Sequence, residues 1–505
     1  MGFMFVNVTG QALLMGTGIG SVTLISQAFG ARNYVRCGEI FQRQLAFHVL
    51  LVSLIAVGWL RCEQILLALG QPSMIAARTA QFVRWRLFAL PGLAVLRDCQ
   101  SYLLAQRIMQ FPMVVGVAAN LLSIACFVVF IPRLGFIGAP LAVTLSNTLH
   151  AVCLLLFTRG FLPFKDAWPR WSLGTALSGW REMLELGLPA GALQLGEWWA
   201  WEFNLFFAGR LCSIRGGSMC AELDVFPIVS NTMVVLFNVH NGFNLAAGAL
   251  VGNALGAGDP AKARRISRQD MLLVATVAGG MALGLYMLRQ QWGRFFVDDD
   301  EVIGLTAEVV PWVAMYIFVD SLGPGALQNI LRNASVVRLP AVITYVAFYF
   351  VGIPCGLALA FPSHGSSWGL VGLWAGLDIG ICTQVSSLLL FFHCCLDWRK
   401  LADEAQSRSK AAGPCALARS PSSVRGGYQK TSYEKVVGQR ADEIGGEESS
   451  FFGEDAQGET GDLQRLGSGG CVSPGAVASP EVDSAVGNHL VLGKTLGCQP
   501  ADDQA

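Results

Sequence analysis

The amino-acid sequence predicts an all-α polytopic membrane protein, built from two helix bundles that are parallel repeats of each other. Three observations point to this class. Hydrophobic residues make up 53% of the 505 positions and charged residues 14%, with a mean hydropathy of +0.49, whereas about a quarter of a soluble domain is charged. Long apolar runs recur along the chain. Short sequence landmarks also recur, in the same order, in its two halves.

The composition argues against several classes of function. The 35 basic and 35 acidic side chains cancel, so no global field favours nucleic acid as a partner. The 14 cysteines form no CxxC pair and the six histidines no HExxH motif, so the sequence indicates neither a metal site nor a cofactor. No nucleophile lies in a pattern with a base. We therefore expect a protein that is not an enzyme and whose principal environment is the lipid bilayer.

The apolar runs are long enough to cross a membrane. A spanning helix needs about 20 mainly apolar residues, because every backbone polar group must be satisfied within the helix when no water is near. Eleven runs meet this requirement. They lie at residues 3–26, 44–60, 82–104, 111–131, 136–158, 183–211, 222–249, 271–291, 303–330, 340–361 and 369–396.

The repeated landmarks relate the two halves of the chain. Gln27–Ala31 (QAFGA) follows the first run, and Asn253–Ala257 (NALGA) follows the seventh. Further on, Phe111-Pro112 matches Leu339-Pro340, and the GFIG segment at 135–138 matches the GLVG segment at 369–372. Each pair is six spans apart. An even number of spans gives the two halves the same orientation in the membrane.

The repeat also divides the chain. We predict an N-terminal bundle of five spans at 1–158, a polar linker at 159–182, a C-terminal bundle of six spans at 183–400, and a disordered tail at 401–505 that is rich in Ser, Gly, Glu and Asp. Because the first half has one span fewer, we expect a twelfth span to precede Met1 and the sequence to be truncated. Basic residues, including Arg332, concentrate in alternate connections, which predicts that the linker and the tail are cytoplasmic.

A cluster of acids and tryptophans lies in the middle of the sixth run. It reads Glu197-Trp198-Trp199-Ala200-Trp201-Glu202. The two carboxylates are about 140° apart around a helix axis, while Trp198 and Trp201 share a face. Acids at membrane depth are costly and usually functional, and a carboxylate among indole rings suits an organic cation, with a proton as its competitor. The alternative is an interfacial aromatic belt, against which the apolar flanks of the cluster argue.

Other polar residues in the runs carry weaker signals. Glu222 and Asp224 are either functional acids or helix-start acids favoured by the helix dipole. Asp320 lies deeper in its run, which favours a functional role. Asp378 fits a functional role and a structural one equally well. We expect Arg97 and Asp98 to pair within the protein. Asn7, early in the first run, is a candidate polar group of the cavity, although hydrogen bonding between helices is the usual role of such a residue.

Taken together, these segments resemble the multidrug and toxic compound extrusion (MATE) family, in its animal-type branch, from about Val6 to Lys400. The resemblance implies twelve core helices in two bundles of six. It also implies export of organic cations or xenobiotics driven by protons, or by sodium, and functional acids at Glu197, Glu202 and Glu222. The matching segments are Asn7–Gly10, Ile25–Gly30, Gly116–Asn120, Glu197–Glu202, Val251–Asp259, Val351–Pro354 and Gly372–Gly376.

The chain departs from the family pattern at several positions. Asn231 stands where the family has a further acid, and Leu250 where it commonly has Arg. Asp320 lies twelve positions before Arg332, one more than the family spacing. An extra residue in an α-helix rotates the acid by about 100°, unless a bulge absorbs it.

The sequence thus predicts a secondary antiporter that exports small organic cations in exchange for protons by alternating access. We expect a monomer with a multi-pass topology, in the plasma membrane or in a vacuolar or vesicular membrane. One alternative is a related flippase for lipid-linked oligosaccharides, although its pyrophosphate substrate calls for a cationic cavity. Another is a membrane scaffold that transports nothing, if the truncation is real. The expected site comprises Glu197, Glu202, Glu222 and Asp320 for substrate and proton coupling, Trp198 and Trp201 as cavity aromatics, and Asn7.

Overall fold

The structure is a computed structural model that describes residues 5–68, 73–161, 168, 171–215, 221–361 and 368–410. All of these residues fall in one compact unit of the chain. They are helical almost throughout and include no β-strand, which confirms the predicted all-α class. The expected twelfth span before Met1 stays a prediction.

The N-terminal half contains a long first helix and the helices that surround it. A π-helical turn at Asn7–Gln11 leads into α1, and a 3-10 turn joins α4 to α5. Proline is tolerated within α6 near its end, at Pro132. The helices are α1 (Ala12–Gly30), α2 (Tyr34–Leu60), α3 (Cys62–Ala68), α4 (Ser73–Arg86), α5 (Leu90–Ala105), α6 (Gln110–Leu134) and α7 (Gly138–Phe161), and a short linker helix follows as α8 (Leu173–Leu177).

The C-terminal half begins with two helices of 36 residues each. Two of its later spans are broken by π-helical turns, at Ser321–Leu327 and Val346–Gly352. Its helices are α9 (Trp180–Arg215), α10 (Ala221–Gly256), α11 (Pro260–Met287), α12 (Arg289–Trp292), α13 (Asp300–Asp320), α14 (Gln328–Asn333), α15 (Arg338–Tyr345), α16 (Ile353–Ala360), α17 (Gly369–Cys394) and α18 (Trp398–Lys410).

Every predicted span falls on one of these helices or on a helix with its π or 3-10 turn. Eight helical stretches among the described residues are long and apolar enough to cross a membrane, and one of them, residues 110–160, contains both α6 and α7. The α4–α5 stretch and α9 are the two remaining predicted spans. They carry more charged residues, among them Arg97 and Asp98 in α5 and Glu197 and Glu202 in α9.

The two halves meet along α1, which packs against α9 and α10 as well as against α2 and α5. The landmarks of the sequence repeat lie at this crossing. A Cβ added to Gly30 would come within 2.0 Å of the Asn253 carbonyl oxygen, and one added to Gly256 within 2.0 Å of the Gln27 carbonyl oxygen. Each repeated glycine therefore lets the backbone of the other half approach closely. The contact is reciprocal, as expected for two related halves.

The tail differs from its prediction at its start. Residues 401–410, expected to be disordered, belong to helix α18. Asp397 accepts hydrogen bonds from the first backbone N–H groups of this helix, which is a common way of starting one. Its buried residues Leu401, Ala402 and Ala405 share one face, and α18 packs on α1, α10 and α11. The remainder of the predicted tail lies outside the described residues.

Candidate functional site

Glu197 lies near the middle of α9, where three segments of the C-terminal half converge. Its Oε1 atom accepts a hydrogen bond from Gln328 Nε2 at 2.7 Å and another from Gln384 Nε2 at 3.2 Å. Gln328 is the first residue of α14 and Gln384 lies within α17. Both glutamines are buried, whereas Glu197 is partly exposed. The carboxylate is therefore fixed at one oxygen, on a residue that is itself partly exposed.

A buried arginine supports the glutamines from behind. Arg332 Nη2 donates to Gln328 Oε1 at 2.8 Å, and Gln384 Nε2 also donates to the hydroxyl of Thr344. Arg332 is only 7% exposed, so its positive charge offsets the negative charge of Glu197 through one intervening side chain. Arg332 was predicted to be one of the basic residues of a cytoplasmic connection. It lies one residue before the end of α14 with its side chain buried in the polar network around Glu197, and its cytoplasmic position stays a prediction.

Trp201, Tyr316 and Trp374 form a cluster of rings, the aromatic wall, which begins one turn further along α9. Trp201 Nε1 donates to the hydroxyl of Tyr316 at 3.1 Å, and the Trp201 ring meets the rings of Tyr316 and Trp374 edge to face, with centroids 5.3 and 5.4 Å apart. Trp374 is fully buried. Such edge-to-face pairs give a rigid apolar surface next to a polar group. Trp198, predicted to share this wall, makes no ring contact with it among the described residues.

Asp320 is the last residue of α13 and lies beside a buried histidine. Its Oδ2 atom is 3.8 Å from His240 Nε2, too far for a hydrogen bond. His240 Nδ1 is 3.2 Å from the Asn244 amide nitrogen, whereas His240 Nε2 has no hydrogen-bond partner within the described residues. The pair is thus incompletely satisfied, which is unusual for buried polar atoms.

A π-helical turn accounts for the additional residue between Asp320 and Arg332. The turn occupies Ser321–Leu327, between Asp320 and the segment that carries Gln328 and Arg332. In a π-helix each hydrogen bond spans five residues in place of four, so such a turn takes up one additional residue. The structure therefore contains the bulge that was expected as the alternative to a rotation of Asp320 around the helix axis.

The remaining predicted site residues lie elsewhere. Glu202 is partly buried on α9, about 7.5 Å beyond Glu197 along the helix axis. Glu222 is buried near the start of α10. Asn7 lies in the π-helical turn before α1, and its Oδ1 atom has no hydrogen-bond partner among the described residues. No hydrogen bond joins Glu202 or Asn7 to Glu197 in the part of the chain that the structure describes, so their roles stay predictions.

Several members of the cluster were not singled out from the sequence. Gln328, Gln384 and His240 are single polar residues in otherwise apolar runs, and Tyr316 and Trp374 are aromatic residues of ordinary spans. The available signal was the polarity of isolated amide and imidazole groups at membrane depth, where each requires a partner. Acids are the more conspicuous signal, because their cost in hydrocarbon is largest.

Comparisons with known proteins agree with this architecture. The family model MatE matches residues 1–129 and 199–357. Multidrug and toxin extrusion protein 1 of Homo sapiens is 32% identical over 404 residues, which are 79% of this chain and 68% of that protein. Protein DETOXIFICATION 12 of Arabidopsis thaliana is 28% identical over 413 residues, covering 81% of this chain and 83% of that protein.

A solved structure gives the same result. The crystal structure of the eukaryotic MATE transporter AtDTX14 superposes with a TM-score of 0.74 at 26% identity, and the match covers 81% of this chain and 89% of that one. The resemblance predicted from the sequence segments is confirmed, as is the fold of a polytopic helical membrane protein. The chain belongs to the MATE family of multidrug and toxin extrusion transporters.

Proposed function

We propose that this transporter exports small organic cations in exchange for protons, with Glu197 as the group that binds each in turn. The single observation that carries the proposal is the asymmetry of this carboxylate. Both hydrogen bonds from Gln328 and Gln384 go to Oε1. Among the described residues, Oε2 is therefore the oxygen that remains for a proton or a cation.

The surroundings of Glu197 suit both ligands. Arg332 and the two glutamines hold the carboxylate in place in either charge state, because their hydrogen bonds connect them to one another as well as to Glu197. Trp201, which is partly exposed and packs against the buried Tyr316 and Trp374, offers flat apolar area and a ring face that attracts an ammonium group. A site that combines few polar groups with apolar area tolerates cations of different shapes.

The proton and the organic cation compete for the same oxygen of Glu197, and this competition produces exchange. A protonated Glu197 has no charge with which to hold a cation, and a bound cation opposes protonation. Asp320 with His240 is a second place for a proton within the same half. The names of the relatives, multidrug and toxin extrusion proteins, support transport of diverse small compounds, and the packing of α1 against both halves provides the interface about which they would alternate.

The test is transport in proteoliposomes that contain the purified full chain. We expect uptake of a fluorescent organic cation under an imposed pH gradient, and a loss of this uptake in Glu197→Gln, because glutamine has neither a charge for the cation nor a titratable proton. Glu185→Gln is the matched control, since Glu185 is an exposed acid on the same helix, paired with Arg181. Unchanged transport in Glu197→Gln would overturn the assignment of this residue. Transport driven by a sodium gradient alone would overturn proton coupling.

A further inference from the structure

Asp378 is a buried carboxylate on α17 of the C-terminal half and makes no hydrogen bond to the Glu197 cluster among the described residues. It is 1% exposed, and both of its carboxylate oxygens lack a hydrogen-bond partner among the described residues. Burial of a polar group without a partner is costly, and burial of a charge more so. The arrangement therefore calls for a ligand that the protein itself does not supply.

Asp378 lines a cavity of about 550 Å³ between α13 and α17. This volume lies within the usual range for small-molecule sites, roughly 300–1,000 Å³. Trp312 and Met315 form its wall on α13, and Cys382, Thr383, Ser386 and Ser387 continue its wall on α17. Met315 is exposed, so the cavity is open to a ligand from outside the bundle.

Asp378 does not share the face of α17 that meets Glu197. Gln384, which donates to Glu197, is fully buried. Asp378 precedes Gln384 by six positions, which places the two side chains about 120° apart around the helix axis. The carboxylate that lines the cavity is thus directed away from the hydrogen bonds of the Glu197 cluster.

The lining residues define the chemistry of the ligand. No lysine or arginine of the described part of the chain lines the cavity, so none of these residues gives the carboxylate a counter-charge there. Hydroxyl groups of Thr383, Ser386 and Ser387 can accept hydrogen bonds, while the indole of Trp312 offers a ring face and apolar area. A carboxylate next to an aromatic ring is a typical arrangement for an alkylammonium group.

We propose that the Asp378 cavity is a second cation site, which binds the ammonium group of an amphiphilic organic cation independently of Glu197. The carboxylate supplies the counter-charge, and Trp312 and Met315 contact the apolar substituents. The inference goes beyond the proposed exchange at Glu197, because it concerns a different face of α17 and a site that needs no proton.

Cys382 provides a native reporter for this site. The purified full chain is treated with a trimethylammonium-bearing methanethiosulfonate or with its sulfonate-bearing analogue, and the rate at each cysteine is measured by mass spectrometry. We expect the cationic reagent to modify Cys382 faster, with a preference that falls roughly tenfold in Asp378→Asn, because one nearby charge is removed. Asp378→Glu should restore the preference. Cys355 on α16, also partly exposed, is the matched control and should show the same ratio in all variants.

Protection by a ligand gives a second measurement that needs no variant. Tetrapropylammonium should slow the modification of Cys382 and leave that of the exposed Cys153 unchanged. The same protection should persist in Glu197→Gln, even if that variant does not transport. A charge preference that survives in Asp378→Asn, or an absence of protection in the wild-type chain, would overturn the proposal. Loss of protection in Glu197→Gln would also overturn it, since the two sites would not be independent.

Discussion

Each half of the molecule contains a buried histidine beside an aspartate, but the two pairs are built differently. In the N-terminal half, His48 Nδ1 lies 3.0 Å from Asp98 Oδ2, and His48 Nε2 lies 2.7 Å from the Gln44 amide nitrogen and 3.1 Å from the Thr17 hydroxyl. An amide nitrogen only donates, so Nε2 accepts and Nδ1 carries the proton that is donated to Asp98. In the C-terminal half, His240 and Asp320 are 3.8 Å apart, and His240 Nε2 is unsatisfied.

The two networks differ in how fully their buried atoms are satisfied. The His48 network joins α1, α2 and α5 and leaves neither ring nitrogen without a partner. A fully satisfied buried network fixes a structure, whereas a partly satisfied one costs free energy. Among the described residues, His240 Nε2 has no hydrogen-bond partner and one oxygen of Glu197 has no protein donor. This difference supports the proposed function, in which the C-terminal half binds the ligands.

We expect the largest difference between the two pairs when each aspartate is replaced in turn. Asp98→Ala leaves His48 Nδ1 buried without an acceptor, and loss of one partner of a buried pair costs about 3–5 kcal/mol. Asp320→Ala removes a group that makes no hydrogen bond with its histidine, so we expect a much smaller loss of stability together with impaired transport. Thermal unfolding in detergent measures the stability, and proteoliposome uptake measures the transport. Equal losses of stability in the two variants would contradict the distinction.

Substitution of Gly30 and Gly256 tests whether the two halves pack symmetrically where they contact each other. Gly30→Ala and Gly256→Ala each place a Cβ within 2.0 Å of a carbonyl oxygen of the other half, and overpacking of this kind costs about 1–3 kcal/mol. Because the contact is reciprocal, we expect similar losses from both substitutions. Gly280→Ala is the matched control, since it lies within α11 with no atom near its added Cβ. A loss confined to one of the two crossing glycines would show that the repeat is not symmetric here.

The smallest expected effects come from two tryptophans with matched hydrogen bonds. Trp59 Nε1 donates to the Thr9 hydroxyl at 2.9 Å in the N-terminal half, and Trp201 Nε1 donates to Tyr316 at 3.1 Å in the C-terminal half. Replacement of either by Phe removes one hydrogen bond, worth about 0.5–1.5 kcal/mol, and the smaller ring also loses part of the packing around the buried Trp59. We expect Trp201→Phe to raise the KM for an organic cation and Trp59→Phe to lower only the unfolding temperature. A raised KM in Trp59→Phe alone would reverse the assignment of the halves.

The sequence predicted the fold more completely than the site. Spans were predictable because the length and apolarity of a helix in lipid are local properties, and the repeat at Gly30 and Gly256 was visible as a motif. Glu197 and Trp201 were found because acids and indoles are conspicuous in an apolar run. Gln328, Gln384 and Arg332 were missed, since their role depends on three segments that meet only in the folded protein.

Two local features also escaped prediction. The π-helical turn after Asp320 contains Gly323, Pro324 and Gly325, which indicate an irregular helix but not the type of irregularity. Its presence was foreseen only as one of two outcomes of an irregular spacing. Helix α18 lies in a segment whose composition is polar, and its buried face of Leu401, Ala402 and Ala405 is too narrow to stand out beside the long apolar runs. In both cases tertiary packing decides the local structure.

Helix α18, at the beginning of the tail, connects the two halves of the transporter. It packs on α1 of one half and on α10 and α11 of the other, and Asn33 Nδ2, just beyond α1, donates to the Ser409 carbonyl oxygen at 2.9 Å. In the exchange cycle proposed above, a movement that separates the halves at this end has to break that bond and expose the apolar face of α18. The strength of this attachment would then contribute to the activation barrier of each cycle, and a modification within residues 398–410 would change the turnover rate without altering any contact with the cation.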